Sequence, residues 1–192
     1  MNRKVRFITL AFILAVAAPT HQAIGYYKLI DLGTLGGNSS VAYSINNNGQ
    51  IVGRAYNSSG NIRATLFDSI GSGKNIDLGT LGGWESEAMS INDNGQIVGC
   101  AENGLGNIKA TLFDPIGGGN NIDLNTLIDP SLGWTLIEAR SINDNGWIVG
   151  VGINPGGYER AYLLIPEPAT LSFFAVAGLI LLKKRDKNRL RS

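Results

Sequence analysis

The same ten-residue pattern occurs three times in this chain. Ser44-Ile45-Asn46-Asn47-Asn48-Gly49-Gln50-Ile51-Val52-Gly53 returns at 90–99 and again at 141–150, with Asp93 and Asp144 in place of Asn47 and Trp147 in place of Gln50 and Gln96. Each copy sets an Asn-Gly turn between β-branched runs, the strongest short-range hairpin signal a sequence gives. Asn and Gly tolerate positive φ, so the expected connection is a type I′ turn, whose twist matches the strands it joins. Repetition on this scale also sets the order of reading. A repeated residue is first explained by the repeated fold, and only then by chemistry.

Other segments keep the same rhythm. Ile30-Asp31-Leu32 returns at 76–78 and 122–124, a spacing of 46 residues each time. Arg63-Ala64-Thr65-Leu66-Phe67 returns at 109–113 and, more loosely, at 160–164. The third repeat carries five extra residues around Ile128 to Leu136. In the first repeat the pattern predicts short strands over residues 27–32, 41–45, 50–56 and 62–67. Gly, Asn and Ser separate them, and no interior window keeps helical periodicity without a Gly or Pro. The expected fold is all-β, with three tandem four-stranded antiparallel repeats over 26–74, 75–120 and 121–165. Four strands in about 46 residues is the size of a β-propeller blade. Twelve strands in threefold repetition also fit a β-trefoil.

Charge separates the middle from the ends. Of 16 basic residues, nine lie at the extremities: Arg3, Lys4, Arg6, Lys183, Lys184, Arg185, Lys187, Arg189 and Arg191. Residues 24–182 are left with a net charge of −7. That acidity argues against nucleic acid, since phosphate binding needs a basic face. The bases instead flank the two most apolar stretches. Residues 1–23 read as a secretory signal peptide: a basic start, an apolar helical core over 7–17, and small-residue cleavage points after Ala17 or Ala23. At the other end Pro166-Glu167-Pro168 precedes an uncharged run from Ala169 to Leu182. That run is expected to be a marginally long transmembrane helix, and the basic cluster after it stops transfer on the cytoplasmic side.

This three-part end, from about residue 165 to 191, resembles the PEP-CTERM sorting signal of Gram-negative bacteria. The resemblance implies Sec export and recognition by an exosortase, a membrane-embedded cysteine transpeptidase-like enzyme. It would remove the tail and deliver the protein to the surface, often beside exopolysaccharide. A plain C-terminal anchor is the simpler alternative. The repeats resemble the HAF-type repeat of bacterial extracellular proteins. That likeness rests on Asp-Leu-Gly-Thr-Leu-Gly-Gly at 31–37 and 77–83, then Ser-Ile-Asn, Asn-Gly-Gln-Ile-Val-Gly and the later Ala-x-Leu-Phe strand. The third copy departs, with Asn125-Thr126-Leu127-Ile128-Asp129 in place of the glycine loop, as a terminal repeat would. The family has no established activity and so lends no catalytic residues.

Candidate chemistry is sparse. The single histidine, His21, lies in or beside the signal peptide, so a mature Ser-His-Asp, Cys-His or histidine-zinc site is not available. The acids recur with the fold, Asp31, Asp77 and Asp123 at one position and Asp68 and Asp114 at another. Recurrence assigns them to turns, as caps on backbone N–H groups, ahead of a glycosidase-like carboxylate pair. Asn46, Asn48, Asn92, Asp93, Asn94, Asn143, Asp144 and Asn145 look like a fragment of a calcium loop, but the downstream glutamate is missing. The glycine loops 33–37 and 79–83 lack the Lys-Ser/Thr ending of a phosphate loop. Cys100 stands where the other repeats have Arg54 and Val151, which reads as a packing or surface substitution. Trp84, Trp134 and Tyr158 fall in expected loops and could stack on sugar rings, although ordinary packing is the stronger reading. The expectation is an exported, non-enzymatic structural or adhesive protein without metal or cofactor. A lectin-like module is the alternative, and a carboxylate-dependent glycosidase the more distant one.

Overall fold

The computed structural model describes residues 26–167. The signal segment, Pro168, the run from Ala169 to Leu182 and the basic tail with Lys183, Lys184, Arg185 and Lys187 lie outside the described residues. No helix of the described residues is long and apolar enough to cross a membrane.

The described chain is all-β. The first sheet holds β1 (Gly36–Ile45), β2 (Ile51–Asn57), β3 (Ile62–Phe67) and β4 (Ile76–Asp77). The second holds β5 (Gly82–Ile91), β6 (Ile97–Asn103), β7 (Ile108–Phe113) and β8 (Ile122–Asp123). The third holds β9 (Thr135–Ile142), β10 (Ile148–Ile153) and β11 (Glu159–Leu164). All pairings within the sheets are antiparallel between chain neighbours, and none of the three sheets closes on itself. The closed barrel of the trefoil alternative is therefore not formed. The five extra residues of the third repeat fall among two short 3-10 turns, Leu124–Leu127 and Pro130–Leu132.

Two expectations are corrected. The Ile-Asp-Leu segments do not open their own sheet. Ile76 pairs with Leu66 and Asp77 with Thr65, so β4 is the outer strand of the preceding sheet. Ile122 and Asp123 pair in the same way with Leu112 and Thr111. The first two sheets are thus offset from the sequence repeat, and each takes its last strand from the repeat that follows. Among the described residues no sheet precedes 27–32, and these residues are not a strand. Correspondingly, the third sheet has three strands and not four.

The turns differ as well. Every positive-φ residue described is a glycine, so Asn48 is not left-handed and the connection is not type I′. Gly49 N donates to Asn46 O at 3.0 Å, Asn46 N donates to Gln50 O at 3.1 Å, and Gly49 sits at φ 74°. That is a three-residue hairpin loop, a tight turn closed by one left-handed glycine. The asparagine at its head decides the outcome. Asn46 Oδ1 accepts from Asn48 N at 3.1 Å and Gln50 N at 2.9 Å, which satisfies the turn without positive φ at Asn48. Asn57, Asn103, Asn143 and Asn154 cap their hairpins by the same pair of bonds.

The sheets stack face to face and bury two cores. Val52 and Ala64 of the first sheet meet Ala88, Ile91, Ile97 and Phe113 of the second, with Leu78 sealed between them. Val98 and Ala110, on the other face of the second sheet, meet Leu136, Ala139, Ile142 and Ile148 of the third, sealed by Leu124. The middle sheet is covered on both faces, so β6 reads as a continuous apolar run and not as an alternating one.

The glycine in each Ile-Val-Gly triplet has a steric cause. A bulge interrupts β5 between Ala88 and Ser90, and it pushes the Glu87 carbonyl against Gly99. A Cβ at Gly99 would collide with that carbonyl oxygen. Gly99→Ala is therefore expected to cost about 2 kcal/mol or more, as overpacking against rigid backbone does. At Gly60, nothing lies within 4 Å of an added Cβ and only the φ of 83° is at stake. Gly60→Ala should cost only about 1 kcal/mol. Urea unfolding of the two variants checks the difference, and equal losses would contradict the bulge argument.

Candidate functional site

Polar side chains concentrate at the hairpin end of the stack, where they form a ladder from sheet to sheet. Asn46 Nδ2 donates to Asn92 O at 2.9 Å, and Asn92 Nδ2 donates to Asn143 O at 2.9 Å. Asn47 N donates to Asp93 Oδ1 at 2.9 Å, and Asp93 N donates to Asp144 Oδ1 at 2.9 Å. Asn48 Nδ2 reaches Asp93 O, and Asn94 Nδ2 reaches Asp144 O, both at 2.8 Å. All the asparagines and aspartates with calcium-loop character except Asn145 take part in this ladder, and Asn145 N donates to Asn143 Oδ1 within its own turn. Asn46 and Asn92 are buried, where an unpaired amide would cost about 1–3 kcal/mol, so the ladder sets sheet spacing as well as capping turns.

The repeated acids act locally on backbone. Asp31 Oδ1 accepts from Gly33 N at 2.9 Å, Asp77 Oδ1 from Gly79 N at 2.8 Å and Asp123 Oδ1 from Asn125 N at 2.9 Å. Asp68 and Asp114 accept from Ile70 N and Ile116 N, each at 3.2 Å. The bond from the Ser72 hydroxyl holds the Asp68 carboxyl below its usual range, and the Ile116 N–H does so for Asp114. The Asn47 N–H lowers Asp93, and the Ser131 N–H lowers Asp129. The glycine loops are also closed internally. Thr34 Oγ1 donates to Gly37 O at 2.9 Å while accepting from Gly36 N at 3.1 Å, and Thr80 does the same with Gly83 and Gly82.

The aromatic candidates lie at the opposite end. Trp84 sits near the start of β5, Trp134 just before β9, and Tyr158 in the turn between β10 and β11. Strand register places all three away from the Asn-Gly hairpins. Trp84 is 70% exposed and Tyr158 is exposed with the Arg160 guanidinium 5.3 Å from its ring centre. Trp134 packs against the second core and so is partly a structural residue. Pro166 and Glu167 are exposed just beyond β11. They line the mouth of an apolar cleft of about 610 Å³, whose walls include Leu112, Leu127, Ile128 and Ile148.

Sequence reasoning missed the contacts between ionisable residues, one set across the first two sheets and one pair within the first sheet. Arg54 Nη1 lies 2.6 Å from Glu87 Oε1, and Tyr43 Oη donates to Glu87 Oε2 at 3.0 Å. The bond to Glu87 raises the Arg54 pKa further. Arg63 Nε, which is buried, is 3.6 Å from Asp77 Oδ2. These pairs join residues 33 and 14 positions apart, and the repeats do not signal the first of them, since Arg54 aligns with Cys100 and Val151 and Glu87 with Val41 and Glu138. Cys100, at the Arg54 position, is buried, and desolvation pushes its thiol up to about 12. Among the described residues no group of three or more His, Cys, Asp or Glu is placed to hold a metal ion. No family model, curated protein or solved structure matches the chain.

Two outcomes are expected in solution. The lowered aspartates stabilise the fold above the ordinary carboxylate range of about 4. That contribution disappears as pH falls through their depressed folded-state values, so the unfolding midpoint in urea should drop between about pH 4 and pH 2. A midpoint flat over that window would mean that these carboxylates do not hold the turns. The Cys100 thiol should resist a thiol reagent at pH 8 in the native chain and react fully in denaturant, because the thiolate is the nucleophile. Fast native labelling would contradict its burial.

Proposed function

We propose that the chain is an exported structural or adhesive protein of the bacterial envelope or surrounding matrix. In this reading, residues 1–23 direct Sec export and residues 24–165 form three β-propeller-blade-like units with HAF-type repeats. Residues 166–192 form a PEP-CTERM signal. The run from Ala169 to Leu182 would hold the precursor in the membrane, Lys183, Lys184, Arg185 and Lys187 would stop transfer, and an exosortase would read Pro166-Glu167-Pro168. The observation that carries the reading is this three-part order, which begins directly after the last strand, where Pro166 and Glu167 are exposed. A non-catalytic role is supported by the acids, since those that recur with the fold are bonded to turn N–H groups. Blade-like units are supported by four-stranded antiparallel sheets of the right size, stacked through their faces.

A second reading rests on a specific observation. Trp84 and Tyr158 are exposed at the same end of the stack, where aromatic faces could take sugar rings of an exopolysaccharide. Mass spectrometry of protein recovered from its native cells tests the first reading. A start after Ala17 or Ala23 and a tail removed near 166–168 are expected, whereas surface protein that keeps residues 183–192 would sink it. A glycan array separates the second. Saturable binding lost in Trp84→Ala and Trp134→Ala establishes a lectin, and absence of binding leaves the structural role.

A further inference from the structure

Each junction between sheets inside the chain is built from the same parts. The forward face of the earlier sheet, with Val52 and Ala64, packs on the rear face of the later one, with Ala88, Ile91 and Ile97. The Ile-Asp segment of the later repeat pairs backward with the earlier sheet. The hairpin ladder then runs from the earlier turn to the later one. The two ends of the stack present the separate halves of such a junction. On the first sheet, Ile45 is 64% exposed, where its repeat counterpart Ile91 is 5% exposed. On the third sheet, Val149 is 44% exposed, where its counterpart Val98 is fully buried. Among the described residues Ile30-Asp31 has no strand partner, and neither has the outer edge of β11.

The outer faces of a repeat array are normally polar, but here the substitutions run the other way. The position of Glu87, which reaches back to Arg54 of the preceding sheet, is Val41 in the first sheet, and the position of Arg54 is Val151 in the third. Brought together, the two ends would place valine against valine where the first internal junction has its ion pair. The other ion pair, Arg63 with Asp77, keeps its charges at the ends, as Arg160 and Asp31. Trp147 is exposed where Gln50 and Gln96 extend toward Gly95 and Gly146 of the next hairpin. The glycine left for Trp147 is Gly49, which has nothing within 4 Å of an added Cβ.

We propose that the two ends are halves of one junction, and that a second copy of this chain occupies each. Ile30 and Asp31 of the second copy pair with Leu163 and Tyr162, and so supply the missing fourth strand of the third sheet. Asp31 of that copy faces Arg160, its Val41 meets Val151, and Trp147 covers its Gly49. Strand addition to an open edge is a common mode of recognition, and it removes an aggregation-prone edge at each end. The contact joins unlike patches, and two such contacts close six sheets into a ring. Propellers typically have about four to eight blades.

The test uses the full chain in mild detergent. One preparation carries Ile30→Cys and another Leu163→Cys, both at surface positions, and each is first shown to keep the parent β-type circular dichroism. Directly opposed Cβ atoms in a ladder lie about 5 Å apart, within reach of a disulfide after small adjustment. Mild oxidation of the mixture should give a linked pair of chains, and neither preparation should do so alone. Adding Ile45→Asp to the first variant, on the rear face, should lower the yield by about tenfold or more. Linkage within either preparation alone would mean that like faces meet, and would overturn the proposal. Sedimentation of the unaltered chain needs no variant. A mass of two chains is expected, and a single chain would overturn the proposal, as it must if the chain's own C-terminal segment covers β11.

Discussion

A buried asparagine amide at the head of each of the first two Ser-Ile-Asn hairpins holds this architecture together. Its Oδ1 caps the turn, and in the first two repeats its Nδ2 crosses to the backbone of the next sheet, as Asn46 does to Asn92 and Asn92 to Asn143. One side chain thereby fixes both a local conformation and a long-range spacing. Apolar faces alone would not do this, because packed valines and alanines can slide by a residue with little loss. A directional bond to a buried carbonyl cannot slide without leaving an unpaired amide, and that cost sets the register between sheets.

The offset between sequence repeat and sheet follows from the same economy of partners. Two-residue strands such as Ile76–Asp77 are too short to stand alone and need an existing edge. The nearest edge belongs to the sheet already completed upstream. Leu78 and Leu124, one residue further on, then drop into the seam between sheets and are fully or almost fully buried. The Ile-Asp-Leu segment is therefore a clasp: its first two residues belong to one sheet and its third closes the core shared with the next.

Much of this was legible in the residues. The period, the all-β class and three of the four strands of the first repeat follow from the spacing of Val, Ile and Phe between Asn-Gly turns. The turn-capping role of the repeated aspartates follows from their recurrence alone. Other features were hidden for physical reasons. Periodicity says that Ile76 lies in a strand, but not which edge it joins, because pairing direction depends on where the previous sheet ended. A type I′ turn and a turn with one left-handed glycine share the same Asn-Gly letters, and only the side-chain bond of Asn46 separates them. The Arg54–Glu87 pair spans two sheets and leaves no spacing signal. Trp147 was visible as a departure from glutamine, but it acquires meaning only once Gln50 and Gln96 are seen reaching toward the next hairpin.

The borrowed outer strand has a bearing on how such an array can lengthen. Copying 46 residues from the first two repeats, wherever within them the copy begins, inserts a clasp behind one sheet and a hairpin pair ahead of another. The new sheet finds its last strand in whatever follows it, and the old neighbours keep theirs. Gene duplication therefore needs no particular reading boundary to yield a foldable product, and the array can grow by one unit at a time without redesigning either terminus.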